Sequence, residues 1–304
     1  MRSGLLLIDK EPGCTSHDVV QKARRVMRQR KIGHCGTLDP AATGLLVLTL
    51  GKATRLTRFL INAPKTYSGT IRFGVTTDTY DASGEVVDEQ SVADLSEEDV
   101  RAAIAPMIGL IDQAAPAYSA KKVKGVRYYE MARRGEEVPT ALKRITIYSF
   151  DAPGPLTDGR LDFTLGCSTG TYVRSVAHDL GQTLGCGAHL ETLCRLKVGP
   201  FAVEDSATIG AIEAASEDGG TSGLGSAWVP FDGIPLPFPQ ISTDAQQEQR
   251  IAHGQTVLIR GSECEEGDWI KLVNQRDQLI AVGSVVETIG DGGVGVVRPR
   301  IVFH

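Results

Sequence analysis

Short apolar runs alternate with helical periodicities along most of the chain. An apolar run of four to eight residues bounded by turn formers predicts a strand. The segments that predict strands are Gly4–Ile8, Leu45–Leu50, Tyr67–Val75, Arg144–Asp151, Arg160–Cys167 and part of Gly185–Leu196. We expect Arg144–Asp151 and Arg160–Cys167 to pair across the turn at Pro153–Gly159, because few residues separate them.

Apolar residues three and four positions apart predict the helices. The first helix follows Ser16, which we expect to be its N-cap. The apolar stripe of this helix consists of Val19, Val20, Ala23, Val26 and Met27. The other predicted helices are Ala53–Ile61, Val100–Met107 after a capping box that starts at Ser96, the region Thr169–Leu184 after an initial turn, and Asp244–His253.

The pattern changes near Phe238, where short β runs replace the longer elements. These runs lie near Thr256–Ile259, Trp269–Val273, Leu279–Val286 and Val294–Phe303. We therefore expect two domains, residues 1–237 and residues 238–304, of which the second is a small β-rich domain with a modest core.

The charges are distributed unevenly on a chain whose net charge is −5. Residues 1–72 contain thirteen Lys and Arg against four Asp and Glu, and residues 121–144 contain eight against three. Residues 204–232 carry six acids and neither Lys nor Arg. Basic blocks on an acidic chain are typical of a localised surface for a polyanion. A single basic block is also typical of a solvated helix face, so charge alone does not decide between these interpretations.

The basic residues fall on defined predicted elements. The first helix keeps Arg24, Arg25, Arg28 and Arg30 off its apolar stripe. In the segment Pro116–Thr140, bases and tyrosines are interleaved: Tyr118, Lys121, Lys122, Lys124, Arg127, Tyr128, Tyr129, Arg133 and Arg134. Such interleaving suits an element that lies against RNA, and it equally suits a surface helix with tyrosines packed beneath it.

Several classes of protein are disfavoured by the composition. No segment reaches the roughly 20 apolar residues of a membrane span, and the apolar start is too short for a signal peptide, so we expect a cytoplasmic protein. The six cysteines form no C-x-x-C pair and have no histidine cluster at metal spacing, so we expect reduced thiols and no metal. Cys35 beside His34 suggests a thiol nucleophile, but nothing near them predicts a group to orient the base.

The segment Gly33–Gly44 reads G-H-C-G-T-L-D-P-A-A-T-G and carries a single acid, Asp39. Pro40 biases Asp39 toward extended geometry, and the glycines allow tight turns or the close approach of a ligand. An acid on a stiff loop before the apolar run Leu45–Leu50 suits a catalytic carboxylate. Asp-Pro among glycines is also an ordinary turn signal, and the whole segment is more specific than the dipeptide.

Taken in order, these segments resemble the TruB family of tRNA pseudouridine synthases, and the resemblance covers most of residues 4–204. The matching pieces are Gly4–Gly13, Gly33–Gly44, Lys65–Tyr67, Pro116–Ala120, Gly170–Ser175, Gly185–His189 and Leu193–Leu196. The chain after Phe238 resembles the small RNA-binding PUA domain of these enzymes.

The resemblance implies an α+β fold with a mixed, mainly antiparallel central sheet flanked by helices, followed by the PUA-like domain. It implies that the segment from about 112 to 140 is an RNA-clamping thumb. It implies a substrate, the uridine at position 55 in the T-loop of tRNA (tRNA numbering), and a monomer that needs no cofactor and no obligatory protein partner.

The resemblance also implies the catalytic residues. Asp39 takes the essential role, either by attacking C1′ covalently or by helping to remove a 2′ proton, and the sequence leaves both routes open. Arg174 is expected to pair with Asp39 and orient it. Tyr67 is expected to stack on the flipped base near its C5 proton. Without the resemblance, Tyr67 would be interpreted as a packed strand tyrosine and Arg174 as a surface arginine.

Further residues are implied to bind the substrate. His34 is expected to help occupy the space that the flipped base leaves, and Tyr172 and Leu193 to form walls of the uracil pocket together with Tyr67. Lys10 is expected to support the Asp39 loop.

Two positions depart from the family pattern. Cys35 replaces a small polar residue, and Cys194 stands where an arginine is expected. The second departure puts backbone contacts near the pocket in doubt.

Two other interpretations stay open on the sequence alone. The chain is an RNA-binding factor for tRNA folding whose catalysis is incidental, or it belongs to the guide-RNA-dependent branch of the same superfamily.

Overall fold

The computed structural model describes residues 2–119, 122–123, 125–136, 138–139, 142–216, 220–260, 264–289 and 294–303. Within them the strands are β1 (Gly4–Lys10), β2 (Ile32–His34), β3 (Thr43–Leu50), β4 (Lys65–Phe73), β5 (Val75–Thr77), β6 (Val86–Glu89), β7 (Gly109–Ala114), β8 (Lys122–Val123), β9 (Val126–Arg127), β10 (Leu142–Asp151), β11 (Arg160–Cys167), β12 (Ala188–Val198), β13 (Phe201–Ala202), β14 (Trp228–Pro230), β15 (Gln240–Ser242), β16 (Val257–Arg260), β17 (Trp269–Val273), β18 (Leu279–Ile289) and β19 (Val294–Val302). The α-helices are α1 (Ser16–Val26), α2 (Thr57–Leu60), α3 (Glu97–Ile104), α4 (Tyr128–Arg133), α5 (Val173–Thr183), α6 (Ile209–Ala215) and α7 (Ala245–Ala252).

The large sheet has the strand order β14-β1-β3-β12-β4-β11-β10-β7, with β2 paired to β3 and β13 paired to β12. Its neighbours are antiparallel except β12 and β3, which run parallel where Cys194 faces Thr43 and Arg195 faces Gly44. The expected mixed, mainly antiparallel sheet is confirmed. Strand β12 lies between β3 and β4, so it joins the loop before β3 to the strand that carries Tyr67.

The large sheet is buried on both faces at β1 and β3. In β1, Leu6 and Ile8 point into a core shared with α1 and α5, whereas Leu5 and Leu7 point into a second core. That second core also contains Leu279, Val282 and Ile301 of the chain's last two strands and Phe303 just after them. Because successive side chains of a strand point to opposite faces, the continuous apolar runs of β1 and β3 follow directly from burial on both sides.

The C-terminal part forms a separate five-stranded sheet in the order β15-β17-β18-β19-β16. Helix α7 packs on it through Ile251, beside Val257, Ile259, Ile270 and Leu272. Aromatic contacts join the two sheets through α2, where Phe59 lies edge-on to Phe238 and Trp269 at ring-centroid distances of 5.0 and 4.8 Å. The expected β-rich C-terminal part is confirmed.

Two predicted elements differ in detail. The N-cap of α1 is Thr15, which forms a capping box with Asp18, and Ser16 is the first helical residue. The predicted helix Ala53–Ile61 is a 3₁₀ turn, Gly51–Arg55, followed by the single helical turn of α2. The capping box at Ser96 is confirmed, since its hydroxyl accepts from the amide of Asp99.

The interleaved basic and aromatic segment is described only in part. Residues 120, 121, 124, 137 and 140 lie outside the described residues, and with them Lys121 and Lys124. The side chains of Lys122, Arg127, Tyr129 and Arg133 are likewise not described. The described backbone forms the short pair β8 and β9 followed by α4.

Candidate active site

Asp39 lies on the loop between β2 and β3. These strands pair with each other, and the amide of Cys35 continues the pairing by donating to the carbonyl of Val47. Gly36 and Gly44 bracket the loop with φ values of +114° and +90°, in the region that favours glycine. A turn closes the loop where the amide of Ala42 donates to the carbonyl of Asp39. The Asp39 side chain is 44% exposed, so its carboxylate is accessible.

Lys10 braces this loop from behind. Its ammonium donates to the carbonyls of Glu11, Pro40 and Ala42 at 3.1, 3.0 and 2.7 Å, and only 1% of the residue is exposed. The side chain is therefore fully occupied by backbone oxygens, and burial lowers its pKa. The structure places Lys10 in the expected supporting position behind the loop, and its part in substrate binding stays a prediction.

Two more side chains hold the loop. Ser16 donates to the carbonyl of Leu38 at 3.1 Å and accepts from the amide of Leu38 at 2.9 Å, which ties the start of α1 to the residue before Asp39. Arg195 of β12 lies beneath the loop, 1% exposed, and donates to the carbonyls of Gly36, Thr37 and Leu45 at 3.1, 3.4 and 2.8 Å. Loops are ordinarily mobile, and this one is fixed by three elements.

Arg174 pairs with Asp39 as the sequence resemblance implied. Its Nε lies 2.9 Å from Oδ2 of Asp39, and its Nη1 lies 3.5 Å from Oδ2 of Asp81. The same guanidinium donates to the carbonyls of Thr79 and Tyr118, each at 3.0 Å. The Arg174 side chain is 7% exposed, so it is held on several sides while Asp39 faces outward. A charge-assisted contact of this length orients the carboxylate.

The backbone around Arg174 is itself anchored. Tyr172 is the N-cap of α5, and Gln113 of β7 binds its backbone on both sides by accepting from its amide at 2.8 Å and donating to its carbonyl at 3.1 Å. The hydroxyl of Ser175 donates to the carbonyl of Ala114. These contacts fix the start of α5, and therefore Arg174, relative to the large sheet.

A pocket of about 280 Å³ opens beside the Asp39 carboxylate. Its walls include Asp39, Tyr67, Tyr172, Arg174, Leu193 and Arg195. The mixture of aromatic and aliphatic walls with a few charged groups is typical of a site that binds a planar polar ring. The structure therefore brings Asp39, Tyr67, Tyr172, Arg174 and Leu193 together.

The floor of the pocket is electropositive. Lys65 donates to the carbonyls of Ile61 and Ala63, both at 2.7 Å, and burial together with the charge of Arg195 lowers its pKa to about 8. Tyr67 is buried, and burial raises the pKa of its phenol. At neutral pH Tyr67 is therefore a protonated phenol with its ring toward the pocket.

His34 ends β2 beside the loop and does not line this pocket. Burial lowers the pKa of its imidazole, so the ring is neutral at neutral pH. Its Nδ1 is buried and has no hydrogen-bond partner among the described residues. The expected part of His34 in base flipping stays a prediction.

Cys35 is not suited to nucleophilic chemistry. The residue is fully buried, and burial raises the pKa of its thiol to about 12. Because the thiolate is the reactive form, the thiol is inert at neutral pH.

Arg195, Lys65 and Asp81 are site residues to which sequence reasoning gave no role. An arginine was expected at Cys194, and the structure has one at the next position, where it reaches under the loop. Lys65 was part of a recognised motif, and strand alternation places it on the same face as Tyr67. Asp81 lies in an acidic turn that predicts only surface, and it meets Arg174 solely through folding.

Comparison with known proteins agrees with this geometry. Residues 24–173 match the N-terminal domain of the TruB family of pseudouridylate synthases, and residues 174–226 match the C-terminal domain of tRNA pseudouridylate synthase B. The protein named tRNA pseudouridine synthase B of Ralstonia pickettii (strain 12J) is 38% identical, covering 99% of this chain and 94% of the relative. The protein of the same name from Arthrobacter sp. (strain FB24) is 40% identical, covering 100% and 97%.

Solved structures share the fold. The archaeal box H/ACA sRNP Nop10–Cbf5 complex contains a chain that is 25% identical with a TM-score of 0.74, covering 99% of this chain and 86% of that one. A chain of an H/ACA RNP bound to a substrate RNA containing 2′-deoxyuridine has a TM-score of 0.76 at 23% identity, covering 99% and 85%. With the matches of sequence and fold extending over nearly the whole length, the chain belongs to the TruB family of pseudouridylate synthases.

Proposed function

We propose that this enzyme isomerises uridine to pseudouridine at position 55 in the T-loop of tRNA, with Asp39 as the catalytic carboxylate. The observation that carries the proposal is the 2.9 Å contact between buried Arg174 and accessible Asp39 at the edge of a pocket lined by Tyr67, Tyr172 and Leu193. The names of the relatives support the class of reaction and the tRNA substrate.

The reaction breaks the bond between N1 and C1′, turns the uracil, and forms a bond between C5 and C1′. The C5 proton is lost and N1 gains a proton, so no oxidant or reductant is consumed. Asp39 acts at the sugar in one of two ways, by attacking C1′ as a nucleophile or by accepting a 2′ proton to give a glycal. In both routes the detached uracil must stay in the pocket while it turns.

The walls of the pocket suit that requirement. The target base leaves its stack at a cost of a few kcal/mol, and stacking on an aromatic ring offsets this cost. We propose that Tyr67 packs on the flipped uracil near C5, with Tyr172 and Leu193 on other sides, and that neutral His34 fills space left in the RNA. Lys10, Ser16 and Arg195 position the loop that carries Asp39.

We further propose that residues 1–237 form the catalytic domain and residues 238–304 a PUA-like RNA-binding domain. The separate sheet that starts at Gln240, with its own apolar core, supports this division. We propose that the segment from about 112 to 140 closes on RNA, because the backbone of Tyr118 at its base contacts Arg174.

The protein is proposed to act as a monomer in the cytoplasm without a protein partner or guide RNA. No helix among the described residues is both long and apolar enough to cross a bilayer.

The experiment is nucleotide-resolution mapping of pseudouridine in an unmodified tRNA transcript incubated with the purified protein alone. We expect one modified site, the T-loop uridine, and none in a transcript with cytidine at that position. Modification only after addition of a guide RNA or second protein would reject the stand-alone enzyme, and modification elsewhere would reject the substrate assignment. If tRNA misfolding is rescued without any modification, the chain is a folding factor.

A further inference from the structure

Three arginines line a concavity on the side of α1 that faces away from the core. Arg24, Arg25 and Arg30 surround a space of about 760 Å³ together with Gln21. The buried residues Val19, Val20 and Ala23 occupy the other side of the helix, as the helical period requires. No Asp or Glu is among the lining residues.

The three guanidinium groups are not neutralised within the described part of the chain. None of the ion pairs found there includes Arg24, Arg25 or Arg30. Arg24 donates through Nη2 to the carbonyl of Ile32 at 3.2 Å, but its Nε is buried without a hydrogen-bond partner. An unmade hydrogen bond at a buried charged group and repulsion between like charges both destabilise the free protein. An anion in the concavity would relieve the repulsion between the arginines.

The concavity is tied to the catalytic loop at two points. The first residue of α1, Ser16, exchanges hydrogen bonds with Leu38 beside Asp39. The eleven residues of α1 span roughly 16 Å at 1.5 Å per residue. Arg24 also contacts Ile32, which β2 places two residues, or about 7 Å, before His34. Arg24 and Arg25 therefore lie about 12 to 14 Å along α1 from the residue that binds the catalytic loop.

We propose that this arginine surface binds backbone phosphates of the RNA whose uridine occupies the Asp39 pocket. The inference rests on the proposed function for the identity of the polyanion. Guanidinium forks match phosphate oxygens in bidentate geometry, and contacts to phosphate position an RNA without reading its sequence. The arginine surface thus holds the RNA next to the catalytic loop and stabilises the bound substrate and the transition state equally. Such binding lowers KM and leaves kcat unchanged.

The test compares two double variants with the same change in charge. In Arg25→Glu/Arg30→Glu, both side chains are exposed and neither makes a described structural contact. In the control, Arg101→Glu/Lys197→Glu, an exposed arginine of α3 and an exposed lysine of β12 are reversed. For the first variant we expect KM for tRNA to rise about tenfold or more, with kcat within about twofold of wild type. We also expect the slope of log Kd against log salt to fall by about 1.4 to 1.8, since two phosphate contacts are lost.

The control variant is expected to stay near wild type in both measurements. If the first variant matches the control in KM and in salt dependence, or if it lowers kcat with KM unchanged, the arginine surface is not an RNA-positioning site. Repeating the assay on a T-arm hairpin locates the phosphates that the arginines bind. If KM rises for both RNAs, these phosphates lie in the T-arm, and if it rises for intact tRNA alone, they lie elsewhere in the tRNA. Either result supports the proposal that the arginine surface binds RNA.

A different result would reject the proposed enzymatic function without rejecting the arginine surface. Wild-type protein that binds tRNA with an Arg25- and Arg30-dependent salt slope, yet forms no pseudouridine, would reject the enzymatic proposal and retain this one.

Discussion

Replacing Arg174 by lysine tests whether orientation of Asp39 depends on the guanidinium. Arg174 contacts Asp39, Asp81 and the carbonyls of Thr79 and Tyr118 from one planar group. An ammonium keeps the positive charge but is a single point, and it cannot reach these partners in the same geometry. We therefore expect Arg174→Lys to lose at least the contact with the Asp39 carboxylate, which is the outermost partner and the most exposed.

The expected decrease in kcat of Arg174→Lys follows from the loss of the contact between Arg174 and Asp39. A hydrogen bond to a charged group contributes about 1.5–3 kcal/mol, and each 1.36 kcal/mol is a factor of ten in rate. Loss of the contact in the transition state therefore predicts a decrease in kcat of about tenfold to 150-fold. KM is expected to stay within about threefold, because Arg174 lies behind Asp39 and is only 7% exposed.

The assay is single-turnover release of tritium from C5-labelled uridine in T-arm RNA, with RNA affinity measured separately by filter binding. The matched control is Arg101→Lys, an exposed arginine paired with Glu97 at 2.8 Å on α3, which is expected to change neither quantity. Circular dichroism and a melting curve show whether Arg174→Lys is folded. A folded variant with wild-type kcat would refute the assignment of Arg174 as the group that orients Asp39.

Three further variants test separate features of the site. Burial and Arg195 lower the pKa of Lys65 from 10.5 to about 8, so between these pH values the unfolded chain binds more protons than the folded one. The unfolding free energy of wild type relative to Lys65→Met should therefore rise from about pH 8 to pH 10.5 and stay level below pH 8. Urea unfolding measures this difference, and a constant or falling difference between about pH 8 and pH 10.5 would contradict the prediction. The Cys35 thiol, with its pKa raised to about 12, should be dispensable, so Cys35→Ala should keep kcat within about threefold, whereas a loss of orders of magnitude would restore the thiol mechanism. In Gly44→Ala a Cβ would lie 2.5 Å from the carbonyl oxygen of Arg195 at a φ of +90°, so we expect the unfolding free energy to fall by about 2–4 kcal/mol. The control Gly210→Ala, where a Cβ meets open space, should be neutral or stabilising. Equal effects of the two variants on the unfolding free energy would refute this prediction.

Strands β1 and β3 could be predicted because both of their faces are buried. Runs dominated by apolar residues, such as Gly4–Ile8 and Leu45–Leu50, are visible without knowledge of their partners, and both form strands. Helix starts were less certain because neighbouring hydroxyls compete for the cap. At α1 Thr15 takes the cap and leaves Ser16 to bind the loop.

Only the site residues that lie in recognisable sequence motifs could be predicted. Asp39 and Arg174 were paired through the family resemblance, and their contact is present in the structure. The position of Arg195 depends on strand register, and that of Asp81 depends on a loop that pairs with Leu190 of β12. Patterns in a single sequence contain neither kind of information. The one-residue difference between Cys194 and Arg195 decides which side chain reaches beneath the loop, because alternate residues of a strand face opposite sides.

The most direct test of the catalytic role of Asp39 is tritium release by Asp39→Asn under single-turnover conditions, with RNA affinity determined on the same preparation. Asparagine keeps the shape of the side chain and an oxygen for Arg174 but is neither a nucleophile nor a base. We expect a dissociation constant within about threefold of wild type and no tritium release above the enzyme-free background. Release by Asp39→Asn at a rate near wild type would contradict the central claim that this carboxylate performs the chemistry.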